Sequence, residues 1–282
     1  MFYEDPSWSK EEPAAKPVSA LFCLTPSESK RLIARAVARL PEVKAALSQG
    51  LVVIARGTTN AFVAEEILGI RLEAKARYAA GFISGELSVN APQVRLRPIV
   101  LKKGQPAEMS PAEALKEFTA SDVFIKGANA VDAQGHAGIL VAGETGGTIG
   151  EALPIILSLG AHLIVPVGLE KLIPSVITAS AQCGISRFKY ASGLPTGLSP
   201  LVTAQVVTEI QAFRVLAGVR ATHVASGGIG GGEGSVVLAL EGSEEEIDKA
   251  LEAMKHVKGE PSLSPPITPA STTERDNVVY PK

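Results

Sequence analysis

The sequence predicts an α/β protein, a mainly parallel sheet with helices on both faces followed by a small α+β lobe. Three observations lead there. Up to about residue 195, short β-rich runs alternate with helix-start signals, the pattern of parallel βαβ units. From Ser199 the order changes to helix, strand, glycine-rich turn, strand, helix, which suits a separate small lobe. A chain of 282 residues, 46% hydrophobic and 20% charged, is also long enough to bury a sizeable core. The expected organisation is a disordered tail over 1–17, an α/β ligand-binding domain over 18–195, the small lobe over 196–258 and a disordered tail over 259–282. Both tails are rich in Pro, Ser, Thr and charge without apolar periodicity.

Each element has its own signal. Thr25-Pro26-Ser27-Glu28 opens the first helix, since a hydroxyl three residues before a glutamate gives a reciprocal cap, and Leu32, Ile33, Ala36, Val37 and Leu40 give it one apolar face. Leu51–Ala55 (LVVIA) reads as a buried strand running into a turn and a further helix, and Val94–Leu101 as the next strand. Ser110-Pro111-Ala112-Glu113 caps another helix before the strand Asp122–Ile125. The glycine-rich stretch 143–150 opens the helix that precedes the strand Leu163–Val167.

Ala152–Leu169 carries no charge apart from a proton on His162, over about the length of a membrane span. Pro154, Gly160 and Pro166 divide it into a short helix and a short strand, so it reads as buried. Ser199-Pro200 predicts a helix running to Ala217 before Gly218. Ser235–Leu240 is the last strand, and Ser243-Glu244-Glu245-Glu246 caps a last helix with Ile247, Ala250, Leu251 and Met254 on one face.

Composition narrows the function. A net charge of -2 gives no global attraction to nucleic acid or anionic lipid, so no nucleic-acid or membrane partner is expected. Cys23 and Cys183 stand far apart without a CxxC or a His cluster, which fits a reducing compartment and neither zinc nor a disulfide framework. The N-terminus has no basic region followed by an apolar core, so the expected location is the cytoplasm, and no metal or other cofactor is expected.

Two turns and three cations carry the chemistry. Arg56-Gly57-Thr58-Thr59-Asn60 joins a strand to a helix, where free N–H groups and the helix dipole favour an anion; the alternative is a tight turn in which Thr59 or Asn60 merely caps the helix. The second turn holds Gly146 and Gly147, with Glu151 in the first helical turn as a general base or as a complement to the dipole. Arg56, Lys126 and Lys171 each fall at or just past the C-terminal end of a strand, the edge at which open α/β sheets bind ligands. Asn129 and Asp132 either point into the same cleft or serve the turn they occupy. The glycine cluster 227–234 is followed by a strand instead of a helix, which excludes a dinucleotide fingerprint and leaves a hairpin loop or lid.

In their order these motifs resemble type A ribose-5-phosphate isomerase, within the superfamily of glucosamine-phosphate deaminases, CoA transferases and translation initiation factor 2B subunits. The resemblance covers about residues 27–257. Gly57–Phe62 (GTTNAF) is similar to that family's phosphate-binding GTGSTA, and Gly127–Asp132 (GANAVD) to its GADEVD. The turn ending at Glu151 is similar to its glycine run, and Gly168–Lys171 (GLEK) to its DESK. The family has an acidic residue where Asn129 stands and a lysine where Val141–Glu144 stands.

The resemblance implies a Rossmann-like domain with a ferredoxin-like lobe, and a homo-oligomer. By the same resemblance Glu151 is the enolisation base, Asp132 a substrate-contacting carboxylate and Lys171 a cation over the substrate. With the turns and cations read above, the residues expected to hold an anionic small molecule are Arg56, Gly57, Thr58, Thr59, Asn60, Lys126, Asn129, Gly146 and Gly147. The expected function is a diverged sugar-phosphate isomerase that moves a proton through a glutamate. The alternatives are a non-catalytic ligand sensor, or a CoA or acyl transferase acting through Glu144 or Glu151.

Overall fold

The computed structural model describes residues 1–8 and 16–264. The molecule is mixed α/β, with eight α-helices among the described residues and a six-stranded, mostly parallel sheet. Strands β2 (Leu51–Ile54), β7 (Val123–Ile125), β10 (His162–Pro166) and β12 (Gln205–Val207) run parallel, in the order β12-β10-β7-β2. Strands β5 (Ile99–Lys102) and β6 (Gln105–Pro106) extend the sheet antiparallel beyond β2. The apolar runs LVVI and VFI are buried along their whole length because the sheet is covered twice: Val52, Ile54, Val123 and Ile125 join one core, and Leu51, Val53 and Phe124 the other.

The first core contains helices α1 (Pro26–Val37), α2 (Pro41–Gln49), α3 (Thr58–Leu68), α7 (Glu209–Ala217) and α8 (Glu244–Val257); the second contains α4 (Pro111–Leu115) and α5 (Gly147–Leu159). Reciprocal caps form at Thr25–Glu28, Ser110–Glu113 and Ser243–Glu246, where a hydroxyl and a carboxylate meet each other's backbone N–H. Helix α6 (Val176–Gln182) packs beside a third sheet, made of β8 (Ala130–Val131), β9 (Ala137–Val141) and β11 (Gly197–Leu201). A hairpin of β3 (Gly81–Ser84) and β4 (Glu86–Val89) forms a sheet of its own, tied through Leu87 to Ser192–Leu194.

The expected boundary at 195/196 does not separate two cores. Strand β1 (Val18–Leu24) pairs antiparallel with β14 (Ser235–Gly242), which pairs with β13 (Arg220–Gly227), so the small sheet takes strands from both ends of the described chain. Leu24, Leu32 and Ile33 share one cluster with Leu238, Ala250 and Met254. Nor are the expected tails wholly free. Phe2 bridges to Val206 and Tyr3 is buried, while Glu260 pairs with Arg31 and Leu263 packs on the core. The rest of the expected C-terminal tail, 265–282, lies outside the described residues.

The helix expected from Ser199 is helical only from Glu209. Its cap is Thr208, whose side chain accepts the Ile210 N–H and which forms a capping box with Gln211. Pro200 sits instead in β11, an edge strand, where its missing N–H costs the sheet little. The strand expected over 94–101 begins only after Pro98, behind a 3-10 turn at Pro92–Val94. The uncharged stretch is the body of α5 followed by β10, and no helix among the described residues is long and apolar enough to cross a membrane.

Candidate functional site

The four parallel strands end side by side, and the residues that follow them form a rim of charge. After β2 come Arg56, Gly57 and then α3; after β7, Lys126 and Gly127; after β10, a 3-10 turn at Leu169–Lys171; after β12, Thr208 and Glu209. This is the edge at which an open parallel sheet leaves a crevice.

Helix α3 starts without a side-chain cap. The N–H groups of Thr58, Thr59 and Asn60 have no partner among the described residues, as the first turn of a helix dictates. Asn60 is fully buried. Its Nδ2 donates to Ala55 O at 2.7 Å and Ile125 O at 3.1 Å, which clamps the start of α3 across β2 and β7. Asn60 Oδ1 faces Gly127 and is buried without a partner. Gly57, by contrast, donates its N–H to Tyr78 O at 2.8 Å, so its contribution to an anion cradle is a bend and not a free donor.

Arg56 reaches over this turn, and its Nε donates to Leu96 O at 2.9 Å. Arg95 lies close to it: burial first, then the Arg56 charge, push the Arg95 guanidinium down from its ordinary value. Among the described residues neither arginine is paired with a carboxylate.

On the other side of the turn stand three lysines and two glutamates. Lys126 Nζ donates to Gly127 O at 3.2 Å, and Lys171 Nζ to Ala128 O at 3.1 Å. Burial, and then the Lys171 charge, push the Lys126 ammonium down to about 8. Burial also lowers Lys171; Glu170 and Glu209 oppose that shift, and Lys30 adds to it. Lys30, from α1, bonds Pro26 O at 3.1 Å and Glu170 Oε1 at 3.5 Å, and Lys171 Nζ lies 3.8 Å from the same oxygen.

Glu170 Oε2 folds back over Gly168, where a Cβ would collide with it, and is buried without a partner. Glu209 is fully buried; its Oε2 accepts the Leu169 N–H at 2.9 Å, and its Oε1 has no partner of normal geometry. Burial first and the Glu170 charge second push Glu209 up to about 7, against the Ser29 hydroxyl and the backbone donors. Gly234, at the end of the glycine-rich loop between β13 and β14, closes this corner: a Cβ there would lie 3.1 Å from Pro26 and 3.6 Å from Glu170 Cβ.

The remaining expected residues stand elsewhere or are occupied. Asp132 is fully buried and its oxygens are spent, Oδ1 on the N–H groups of Gln134 and His136, Oδ2 on the His136 ring at 3.1 Å and the Val176 N–H at 2.9 Å. Burial raises its pKa, but these donors outweigh burial and hold it below the usual carboxylate range. It fixes a turn and the start of α6. Asn129 Oδ1 accepts the Leu140 N–H at 3.0 Å and so ties β8 to β9.

Glu151 is the fifth residue of α5 and not in its first turn; it is exposed, and its side chain has no hydrogen-bond or ion-pair partner among the described residues. Gly146 and Gly147, both at positive φ, shape an exposed turn that makes no hydrogen bond to the lysine cluster. Lys30, Arg95, Glu170 and Glu209 were not among the expected site residues.

Compared with protein-family models, curated proteins and solved structures, the chain finds no match in any of the three.

Proposed function

We propose that the C-terminal edge of the parallel strands binds a phosphorylated small molecule, and that the protein is a diverged isomerase-like enzyme acting on sugar phosphates. The observation that carries this reading is the convergence at one place of three unpaired helix N–H groups, of Thr58, Thr59 and Asn60, with Arg56 on one side and Lys126 and Lys171 on the other. Oriented N–H groups and nearby cations are what a phosphate requires; Arg56 and Lys126 have no carboxylate partner among the described residues, Lys171 has only Glu170 at 3.8 Å, and both lysines spend bonds on carbonyls that a phosphate oxygen would outcompete.

The reading extends to a Rossmann-like domain with a ferredoxin-like lobe and a homo-oligomeric state, in keeping with the resemblance in motif order, and to a cytoplasmic location, in keeping with the two unpaired cysteines. An aldose–ketose step needs a base and cations over the developing oxyanion. Lys126 and Lys171 supply the cations, and the carboxylates enclosed with them are Glu170 and Glu209; Glu151 stands exposed on α5.

One observation favours a non-catalytic sensor with the same ligand: Asp132 is fully used in holding its turn and has no acceptor left for a substrate. A thermal-shift screen of the full chain against sugar phosphates, nucleotides, CoA and CoA esters separates the readings, since a ligand that binds the folded state raises its stability by mass action. The expected result is a rise in Tm with sugar phosphates, abolished by Lys126→Met, together with isomer interconversion. Binding without interconversion selects the sensor. A shift with CoA species alone overturns the phosphate assignment in favour of acyl transfer.

A further inference from the structure

The carboxylates behind the lysines are arranged unlike the others in the molecule. Among the described residues Glu170 and Glu209 each leave one buried oxygen without a partner, Oε2 of the first and Oε1 of the second. They are held in one corner, because Glu209 accepts the N–H of Leu169, the residue before Glu170. A proton carried by one and accepted by the other would satisfy both orphan oxygens.

We infer that Glu170 and Glu209 form a carboxyl pair with one proton between them, and that this pair is the acid–base element of the site, Glu170 being the member at the crevice and Glu209 acting through it. The inference rests on the proposed sugar-phosphate reading for its substrate and on the buried geometry for the pair itself.

The groups that face the pair are Ser29 and Lys30 from α1 and Lys171 from the turn after β10; these favour the ionised form, and at Glu209 burial and the neighbouring carboxylate outweigh them. Burial and the neighbouring carboxylate push Glu209 up to about 7, so Glu209 changes charge near neutrality, where a group that both takes and returns a proton works best.

The step balances within the substrate. A Glu170 oxygen takes the proton from the carbon beside the carbonyl, and that C–H electron pair becomes the carbon–carbon double bond of an enediolate. The carbonyl oxygen gains the charge opposite the lysines. The carboxyl exchanges that proton with water and then delivers one to the former carbonyl carbon, while the proton of the neighbouring hydroxyl passes to the former carbonyl oxygen as that hydroxyl becomes the new carbonyl; nothing is oxidised or reduced overall.

Two measurements test it. Infrared titration of the full chain is expected to show a neutral carboxylic acid that persists to about pH 7, absent in Glu209→Gln and shifted to lower pH in Glu170→Gln. Absence of the band in the native chain, its survival in Glu209→Gln, or an unmoved midpoint in Glu170→Gln overturns the pair. Aldose phosphates incubated with the protein in deuterium oxide are expected to take up deuterium beside the carbonyl.

In Glu209→Gln the exchange is expected to slow by about a hundredfold and to lose its pH limb near neutrality, with Tm and the phosphate-induced shift retained. An unchanged rate and pH profile in that variant overturns the acid–base role. Phosphate binding without exchange in the native chain also overturns that role and leaves the binding reading standing, whereas no phosphate binding overturns the binding reading and the acid–base role with it. The infrared result decides the pair in every case.

Discussion

Two buried clusters of charge, both involving α1, are built on opposite rules. In the first, Arg31 is bracketed by Glu65, Glu66 and Glu260, and Lys75 joins it through Glu65. Burial alone would lower Arg31, but its carboxylate partners more than reverse the shift, and Glu65 is held below the usual carboxylate range by the Leu72 N–H, Arg31 and Lys75. Every charge there has an opposite charge.

In the second cluster the lysines outnumber the carboxylates and bond to carbonyls, Lys30 and Lys171 share a single Glu170 oxygen at 3.5 and 3.8 Å, and two carboxylate oxygens have no partner among the described residues. The first cluster fastens the segment after α8 to the body of the molecule. The second holds like charges together at a stability cost, which is the usual mark of a place kept for a ligand.

The sharpest way to break the comparison is Arg31→Met. Removing one member of a paired buried network leaves uncompensated carboxylates, so the chain is expected to lose about 3–5 kcal/mol, measured by chemical denaturation. A loss no larger than that of a surface substitution would show that the two clusters do not differ in kind.

Next in size is Gly234→Ala. With φ of 84 the residue occupies the left-handed region, and the new methyl would press on Pro26, so a loss of about 1–2 kcal/mol is expected together with a loosened phosphate response. Unchanged stability would show that the loop does not seat on Glu170 as described.

The smallest effect has the opposite sign. Lys126 titrates at about 8 in the folded protein, below the ordinary 10.5, so its charged form opposes folding. The contribution of a depressed lysine is favourable above 10.5 and is lost as pH falls through about 8. Lys126→Met is therefore expected to raise stability at neutral pH by on the order of 1 kcal/mol, allowing for screening by water, and to leave it unchanged at alkaline pH. A loss of stability at neutral pH would place Lys126 in the fastening class.

How legible each cluster is in the sequence follows from chemistry. Lys126 and Lys171 stand out because each follows an apolar strand, where a cation has only the sheet edge to occupy. Lys30 does not, since it lies in an amphipathic helix where a lysine reads as solvated. Glu209 is hidden by a false start: taking Ser199-Pro200 as the cap places it deep inside a helix, whereas the Thr208 cap makes it the first helical residue, directly after a parallel strand.

The central strands and the three capping boxes are readable because their signals are local. The β8-β9-β11 sheet is not, because its strands are short, carry Gly and Pro, and pair across distant segments. Asp132 reads equally well as a turn former and as a ligand contact, and its four hydrogen bonds decide for the turn.

The pairing of β1 with β14 also bears on how the molecule comes together. Helix α1 carries both Arg31 and Lys30, yet the strand just before it finds its partner only when residues 235–242 have been made. Contacts so distant along the chain form slowly, because a long loop must close before they are rewarded. The central sheet can assemble early, but the corner where Gly234 meets Glu170 waits for the last hairpin, so a nascent chain acquires its scaffold before that corner closes.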